Sequence, residues 1–314
     1  MNSPLSLLAN AGSQSQQISP LLWGLLWLSI VVVVIMSGAV AAGLVVRSRD
    51  THDPRAIAPE HSRGGLWFIY AGGGLSTLVL IVFIGWTLTT MAGTASPPQA
   101  AAFTVDVSGE QWWWQFAYDP IGGAPGFVTA NELHIPVGQA VHFRITSPDV
   151  IHSFWVPALG GKTDAIPGQT NDMWLEADKP GVYRGQCAEY CGVQHAQMAL
   201  LVVAEPQAQF DAWRAGQAMD APASANADGV TQFVLSCGKC HTVRGTAANG
   251  TSGPDLTHLM SRTTIAAGML DNNPGNLAGW IANPQGIKPG AKMPDIPLSG
   301  PELQATLNYL AALT

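Results

Sequence analysis

The stretch Cys187-Ala-Glu189-Tyr-Cys191-Gly-Val-Gln-His195-Ala-Gln-Met198 places two thiols, an imidazole and a thioether on one short segment. Thiolate and thioether sulfur select copper and imidazole completes the set. A trigonal sulfur and nitrogen environment with a weak axial methionine or backbone carbonyl is the ligation of electron-transfer copper. Such a site moves electrons rather than hydrolysing bonds. Val182-Tyr-Arg-Gly-Gln186 leads into the segment and Gln197-Met-Ala-Leu-Leu-Val-Val-Ala204 leads out, so the ligand loop joins two strands. Around it, from Phe103 to Val203, short β-rich runs bounded by Gly and Pro recur, among them Phe103–Val107, Glu132–Pro136 and Ala140–Ile145. Alternation and turn spacing of this kind predict an all-β sandwich or barrel.

Two cysteines four apart can each bridge two metal ions, and a binuclear centre then needs a second imidazole from elsewhere. His152, in Ile-His-Ser-Phe-Trp-Val-Pro, is the best candidate. Each copper would have both sulfurs of Cys187 and Cys191 and one histidine, His152 or His195, with Met198 and the backbone carbonyl of Glu189 as weak axial ligands. A disulfide between Cys187 and Cys191, in a chain exported to an oxidising compartment, leaves Glu189, His195 and Met198 unexplained together.

The spacing C-x-E-x-C-G-x-x-H-x-x-M resembles, at every ligand position, the copper A loop of cytochrome c oxidase subunit II. The flank of His152, with Leu159–Gly168 after it, resembles the ligand-bearing turn of that family. The resemblance covers residues from about 20 to 205 and implies a cupredoxin-like copper A domain. It also implies that the Glu189 carboxylate binds magnesium at the boundary with subunit I, which suits a hard cation. In Gln111-Trp112-Trp113-Trp114-Gln115-Phe116-Ala117-Tyr118, period-2 packing buries Trp112 and Trp114 on one face and leaves Trp113 on the other. The resemblance assigns Trp112 as the point where electrons reach copper, and the neighbouring tryptophans keep the packing role.

Residues 21–46 and 66–91 carry no charged side chain, and each run exceeds the roughly 20 residues needed to cross a bilayer. They predict a two-span helical hairpin. Arg47, Arg49, Arg55 and Arg63 all fall between the spans and residues 1–20 hold no Lys or Arg. Basic residues collect on the cytoplasmic side, so the N-terminus and everything after Met91 are expected on the periplasmic face of a bacterial inner membrane. A cleaved signal peptide is the alternative for the first span, but that span lacks a basic n-region and is about twice the usual length. The family usually has a Glu three residues before a Trp at the start of the second span, at the mouth of a proton path. Here Gly64 stands in that place before Trp67, and Ala71-Gly-Gly-Gly stands where a Pro-containing segment is frequent. Glu60, one helical turn further out, is the residue expected to substitute, against its ordinary reading as a solvated loop carboxylate.

Beyond Pro206, an Ala- and Gln-rich stretch to Asp228 reads as a linker with one helical turn near Gln209–Arg214. Cys237-Gly-Lys-Cys240-His241 follows. C-x-x-C-H is the attachment signature of c-type haem: two thiols add to the vinyl groups and the adjacent His becomes an axial ligand. A thioredoxin-like C-x-x-C would need a βαβ context, which is not present here. The second axial ligand is expected at Met293 in Ile287-Lys-Pro-Gly-Ala-Lys-Met293-Pro294, before the helical Pro301–Leu313; Met260, Met269 and His258 are the rivals. Gly253-Pro-Asp-Leu256 resembles the histidine-side loop of a class I cytochrome c, and Trp280 is expected near a haem propionate or in the core. All four cysteines are thereby used.

The expected organisation is residues 1–98 for the tail and hairpin, 99–205 for the copper A domain, 206–228 for the linker and 229–314 for an all-α class I cytochrome c domain. The fusion implies a subunit II of a haem-copper cytochrome c oxidase with binuclear copper A, one covalent haem c and magnesium at the boundary with subunit I. Its expected partners are subunit I, other oxidase subunits, membrane lipid, and cytochrome c or another respiratory complex as donor, with no nucleic acid. The alternative is the corresponding inlet subunit of a nitric oxide reductase; a nitrous oxide reductase needs a histidine-rich propeller, and the chain has 8 His. Residues 99–205 hold eleven acidic against four basic side chains, and residues 229–314 hold four against five. A flexible 23-residue link would span roughly 25–30 Å and hold the domains at an effective concentration on the order of millimolar. The two domains are therefore expected to be joined more by tether than by charge.

Overall fold

The computed structural model describes residues 5–49 and 63–314. Helices α1 (Ser13–Arg49) and α2 (Arg63–Thr94) extend the two apolar runs at both ends. Both are long and apolar enough to cross a membrane. Their large apolar side chains point outward, Phe68 at 78% exposure and Ile69 at 68%, a surface that suits lipid. The helices meet where Gly24 leaves room for Trp86: a Cβ at Gly24 would fall 2.8 Å from the indole ring. Glu60 lies outside the described residues.

Ten of the strands after the hairpin form the predicted β-sandwich. One sheet runs β3 (Phe127–Ala130), β2 (Trp113–Tyr118), β1 (Thr104–Glu110), β5 (Val141–Thr146), β8 (Asn171–Leu175). The facing sheet runs β4 (Glu132–Pro136), β10 (Ala199–Glu205), β9 (Gly181–Gln186), with a ribbon of β6 (His152–Trp155) and β7 (Lys162–Ala165) beside them. Val105, Val107, Phe116, Phe143 and Ile145 point inward at 0% exposure, as the alternation of β1, β2 and β5 requires. The residues around the start of α1 are tied to this sandwich. Ala11 N donates to Ala158 O at 3.0 Å, Asp178 N donates to Ala11 O at 2.8 Å, and Gln14 Nε2 donates to Trp174 O at 2.9 Å. The residues just before the hairpin and the domain just after it are therefore on one side of any bilayer the hairpin crosses, as the arginine placement predicts.

The expectation of a flexible tether is corrected by α3 (Gln207–Gln217). Phe210, at 2% exposure, stacks on Phe103 with ring centroids 5.3 Å apart, and Trp213 lies flat on His134 at 4.0 Å. Burying a side chain of Phe size is worth about 1.5–3 kcal/mol, so α3 is part of the sandwich. Arg214 seals its far end by donating to Asp119 O at 2.7 Å.

The last domain is helical: α4 (Ala227–Ser236), α5 (Pro274–Ala282), the short α6 (Pro284–Ile287) and α7 (Gly300–Leu310). Its core gathers Phe233, Leu277, Ile281, Tyr309 and Leu310. Asn226, Asn273 and Asn283 each accept a backbone N–H at a helix start, satisfying donors that a helix leaves open. A capping box between Ser299 and Glu302 starts α7.

Candidate functional site

The ligand loop between β9 and β10 brings its predicted donors together. Cys187 Sγ and Cys191 Sγ are 3.8 Å apart, and Glu189 O is 3.2 Å from Cys187 Sγ. His195 Nδ1 and Met198 Sδ lie 3.7 and 3.9 Å from Cys191 Sγ. His152, from the start of β6, points Nδ1 at Cys187 Sγ over 4.0 Å. Its other nitrogen, Nε2, bonds Asp149 Oδ1 at 2.9 Å, the outer-sphere contact that fixes a metal-ligating imidazole's tautomer and aim. The ligand atoms of His152, Cys187 and Cys191 all fall within 4.8 Å of one another, in buried surroundings.

The pair of thiols shares its protons unevenly. The hydrogen bond from Cys191 holds Cys187 well below the usual thiol range, against the effect of burial and with help from His152. The same pairing, with burial, pushes Cys191 up. Two thiolates this close need a cationic partner, and a coordinated thiol ionises outright. The donor set of soft sulfur and imidazole fits copper.

Trp112 is built into this loop. Its Nε1 donates to Cys191 O at 3.0 Å, beside Gln111 Nε2 on the same carbonyl at 2.8 Å. Gly192 makes the approach work: its φ is +121° and a Cβ there would fall 2.9 Å from the Trp112 ring. Trp112 and Trp114 join the sandwich core and Trp113 faces the other way, as the alternation predicts. That outer face is covered as well, because Trp113 packs on Ala130 and on Ala267 of the helical domain and is 9% exposed.

A cavity of about 380 Å³ opens between the helices of the last domain and reaches Trp112 and Trp113. Cys237, Cys240, His241 and Met293 all line it, as does Trp280; Met260, Met269 and His258 do not. His258 has both ring nitrogens on carbonyls, those of Thr314 and Met219 at 2.8 and 3.0 Å. His241 Nδ1 bonds Pro254 O at 2.8 Å, which leaves Nε2 for an axial bond. Burial lowers its pKa, so the imidazole is held neutral, as a ligand must be. Gly253 backs the ring, where a Cβ would stand 2.8 Å from Cε1. Arg262 and Thr264 line the cavity, and Arg262 Nε and Thr264 Oγ1 are buried with no hydrogen-bond partner in the protein. Buried polar groups ordinarily have partners, and a haem carries two carboxylates that would supply them. The cavity therefore fits haem.

The contacts joining the helical domain to the sandwich went unread in the sequence. Lys292 Nζ pairs with Asp149 Oδ2 at 2.8 Å, so the carboxylate that orients His152 also receives a cation from the helical domain. Lys288, at 3% exposure, donates to Trp112 O, Gln197 O and Ala266 O. Burial pulls its pKa down to about 7, and a neutral amine still supplies two of these bonds. Glu132 accepts from Thr263 N at 2.9 Å and from Thr263 Oγ1, and its other oxygen meets His134 Nε2 at 3.3 Å. His134 Nδ1 closes on Glu205.

This last cluster gives the domain pair a pH dependence. Burial alone would depress His134, but its bonds to Glu132 and Glu205 outweigh that and raise its pKa above 6.5. Burial alone would raise Glu132, but bonds from His134 and Thr263 lower it below 4.5. The raised histidine contributes stability that is complete below 6.5 and is lost as pH rises through its folded value. The lowered carboxylate contributes above 4.5 and fades as pH falls through its own. Both contribute fully between about 4.5 and 6.5. Stability should therefore fall as pH rises above 6.5, seen as a falling thermal midpoint, and His134→Gln should flatten that limb in a calorimetric pH series.

Comparison with known proteins identifies both domains. A family described as cytochrome c oxidase subunit II, periplasmic domain, matches residues 123–205, and cytochrome c matches residues 226–314. A cytochrome c oxidase subunit 2 of Alkalihalophilus pseudofirmus is 42% identical over 244 residues, covering 75% of this chain and 69% of its own. That of Bacillus sp. (strain PS3) is 31% identical over 288 residues, covering 85% and 78%. The crystal structure of the periplasmic domain of subunit II of cytochrome oxidase from Bradyrhizobium japonicum is 34% identical, with a TM-score of 0.36 over 38% of this chain and 95% of its own. With a copper-type donor set on a β-sandwich loop, a cavity lined by Cys237, Cys240 and His241 beside it, and subunit 2 relatives at 42% and 31% identity, the chain belongs to the cytochrome c oxidase subunit II family and carries a cytochrome c domain after its copper domain.

Proposed function

We propose that the chain is the electron inlet of an aerobic respiratory cytochrome c oxidase. It takes electrons at the cytochrome c domain and passes them through the copper domain to subunit I, where oxygen is reduced to water with proton translocation. Bound haem c and binuclear copper A supply the one-electron chemistry. Cys237 and Cys240 would hold the haem by thioether bonds, with His241 and Met293 on its iron. His152, Cys187, Cys191, His195, Met198 and the Glu189 carbonyl would hold copper. The Glu189 side chain, exposed beside the loop, is available to a magnesium ion shared with subunit I. Cytochrome c or another respiratory complex would be the donor, and the setting is a bacterial inner membrane with both redox domains in the periplasm.

One observation carries this reading: Trp112 lines the haem cavity and hydrogen-bonds the carbonyl of Cys191. A single indole thus touches both sites, and its π-system offers an aromatic route from the cavity to the ligand loop. Trp112→Phe keeps an aromatic ring but removes the Nε1 donor and part of the overlap. It should slow electron arrival at copper about tenfold or more, one decade being about 1.4 kcal/mol of barrier, while copper content stays unchanged. Flash-induced absorption at copper measures this. A silent Trp112→Phe beside a damaging Trp113→Phe would move the role to the neighbouring ring. Oxygen uptake by the purified complex, against nitric oxide uptake by the same sample, tests the reaction served.

A further inference from the structure

The loop that carries Met293 is fastened to the copper-ligand loop by one buried side chain that neither set of ligands requires. Lys288 Nζ donates to Trp112 O at 2.8 Å, to Gln197 O at 2.9 Å and to Ala266 O at 3.2 Å. The first carbonyl belongs to the tryptophan that joins cavity and copper loop. The second comes immediately before Met198. The third lies in the helical domain, in a turn where Ala266, Ala267 and Gly268 all have positive φ. Burying a lysine amine is costly unless its donors find partners, and here three carbonyls from two domains converge on one nitrogen.

We propose that Lys288 is a positioning residue that locks the helical domain onto the copper loop and so fixes the gap across which the electron passes. The inference rests on the reading of the chain as a haem-to-copper carrier. A tethered domain that docks only part of the time transfers at its intrinsic rate multiplied by the docked fraction. Glu132, which accepts from Thr263 N and Oγ1, is a second buried anchor between the domains, and the contacts made nearer the Met293 loop are weaker locks. Lys292 and Asp149 form a pair with the lysine half exposed, a class of interaction worth little in water. Gln194 Nε2 to Pro289 O, at 2.7 Å, and Ala199 N to Ala267 O, at 3.1 Å, are single neutral hydrogen bonds. Lys288 alone ties the Trp112 backbone, the neighbour of Met198 and the helical-domain turn to one point.

The test uses the full chain in its oxidase complex, with Lys288→Met, which keeps an unbranched side chain one atom shorter and leaves no buried charge, and Lys288→Gln, which keeps an amide donor. Haem is reduced by a flash, and the rate at which the electron reaches copper is followed with increasing glycerol. The wild-type rate should not depend on viscosity, because no domain motion precedes transfer. Lys288→Met should be about tenfold slower, as a docked fraction near one tenth requires, and should slow further with viscosity. Its haem and copper spectra should match the wild type, and Lys288→Gln should fall between the two. A Lys288→Met rate equal to wild type and insensitive to glycerol would overturn the proposal. So would loss of copper or of the haem's methionine ligation in both variants, since Lys288 would then be supporting a centre rather than setting a gap. If the wild type itself passes no electron from haem to copper, the carrier reading falls and takes this inference with it.

Discussion

Cys187→Ser and Cys191→Ser should each abolish the binuclear copper centre while leaving the β-sandwich folded. The sulfurs stand 3.8 Å apart at the centre of the donor set and would be the donors shared between two ions, with Glu189 O, His195 Nδ1 and Met198 Sδ around them. Serine oxygen is a hard ligand and does not replace a bridging thiolate for copper. At metal sites even outer-sphere changes cost on the order of 10–100-fold in affinity or activity, so loss of a bridge should exceed that and stop oxidase turnover. The fold should survive because the exchange is nearly isosteric: both cysteines are 2–3% exposed, and a buried hydroxyl costs about 1–3 kcal/mol. Elemental analysis should find two copper ions per chain in the wild type and one or none in either variant. The electron paramagnetic resonance spectrum of an electron shared over two nuclei should vanish. Retention of that spectrum in Cys191→Ser, or a wild-type chain that binds zinc alone, would refute the assignment.

The ligand loop was legible because its chemistry is compressed into Cys187–Met198 at fixed spacing, with the strands on either side visible as apolar runs. His152 was named from the need for a second imidazole and singled out by the resemblance of its flank, since a lone histidine carries no pattern. Alternation in Trp112–Trp114 gave the right faces and named no neighbour: it cannot say that Ala267, more than 150 residues away in sequence, covers the outer one. Lys288, Lys292, Glu132 and Thr263 went unread for the same reason. Each is unremarkable alone, and charge totals by domain average away the single pairs that join the two. The helix α3 did leave a signal, the spacing of Phe210, Trp213 and Gln217, which puts all three on one helical face. Alanine and glutamine around them disguised it as a linker.

Met293→Ala should lower the potential of the haem and slow its reduction by an external donor, with the protein around it little changed. The loop holding Met293 does not depend on the methionine side chain. Gln285 Nε2 donates to Ala291 O at 2.7 Å and to Met293 O at 2.6 Å, and its Oε1 accepts from Gly290 N at 2.9 Å. Lys288 and Lys292 pin the same loop to the copper domain. Truncation therefore removes a thioether from a segment that stays in place. Methionine paired with histidine raises a haem's potential, and axial ligands as a class move it over roughly 0.8 V, so a fall on the order of 0.1 V or more is expected. The onward step to copper gains driving force from this change while the incoming step loses it, and the variant should show rapid internal transfer behind a slowed first reduction. Redox titration of the haem band and flash kinetics separate the two. Met260→Ala and Met269→Ala should leave the potential unchanged, because neither residue lines the cavity. His258 is spoken for by its two carbonyl partners. If Met293→Ala kept a histidine–methionine spectrum, the axial ligand would have to come from outside the cavity wall described here, and the loop's docking on copper would need a purpose other than presenting it.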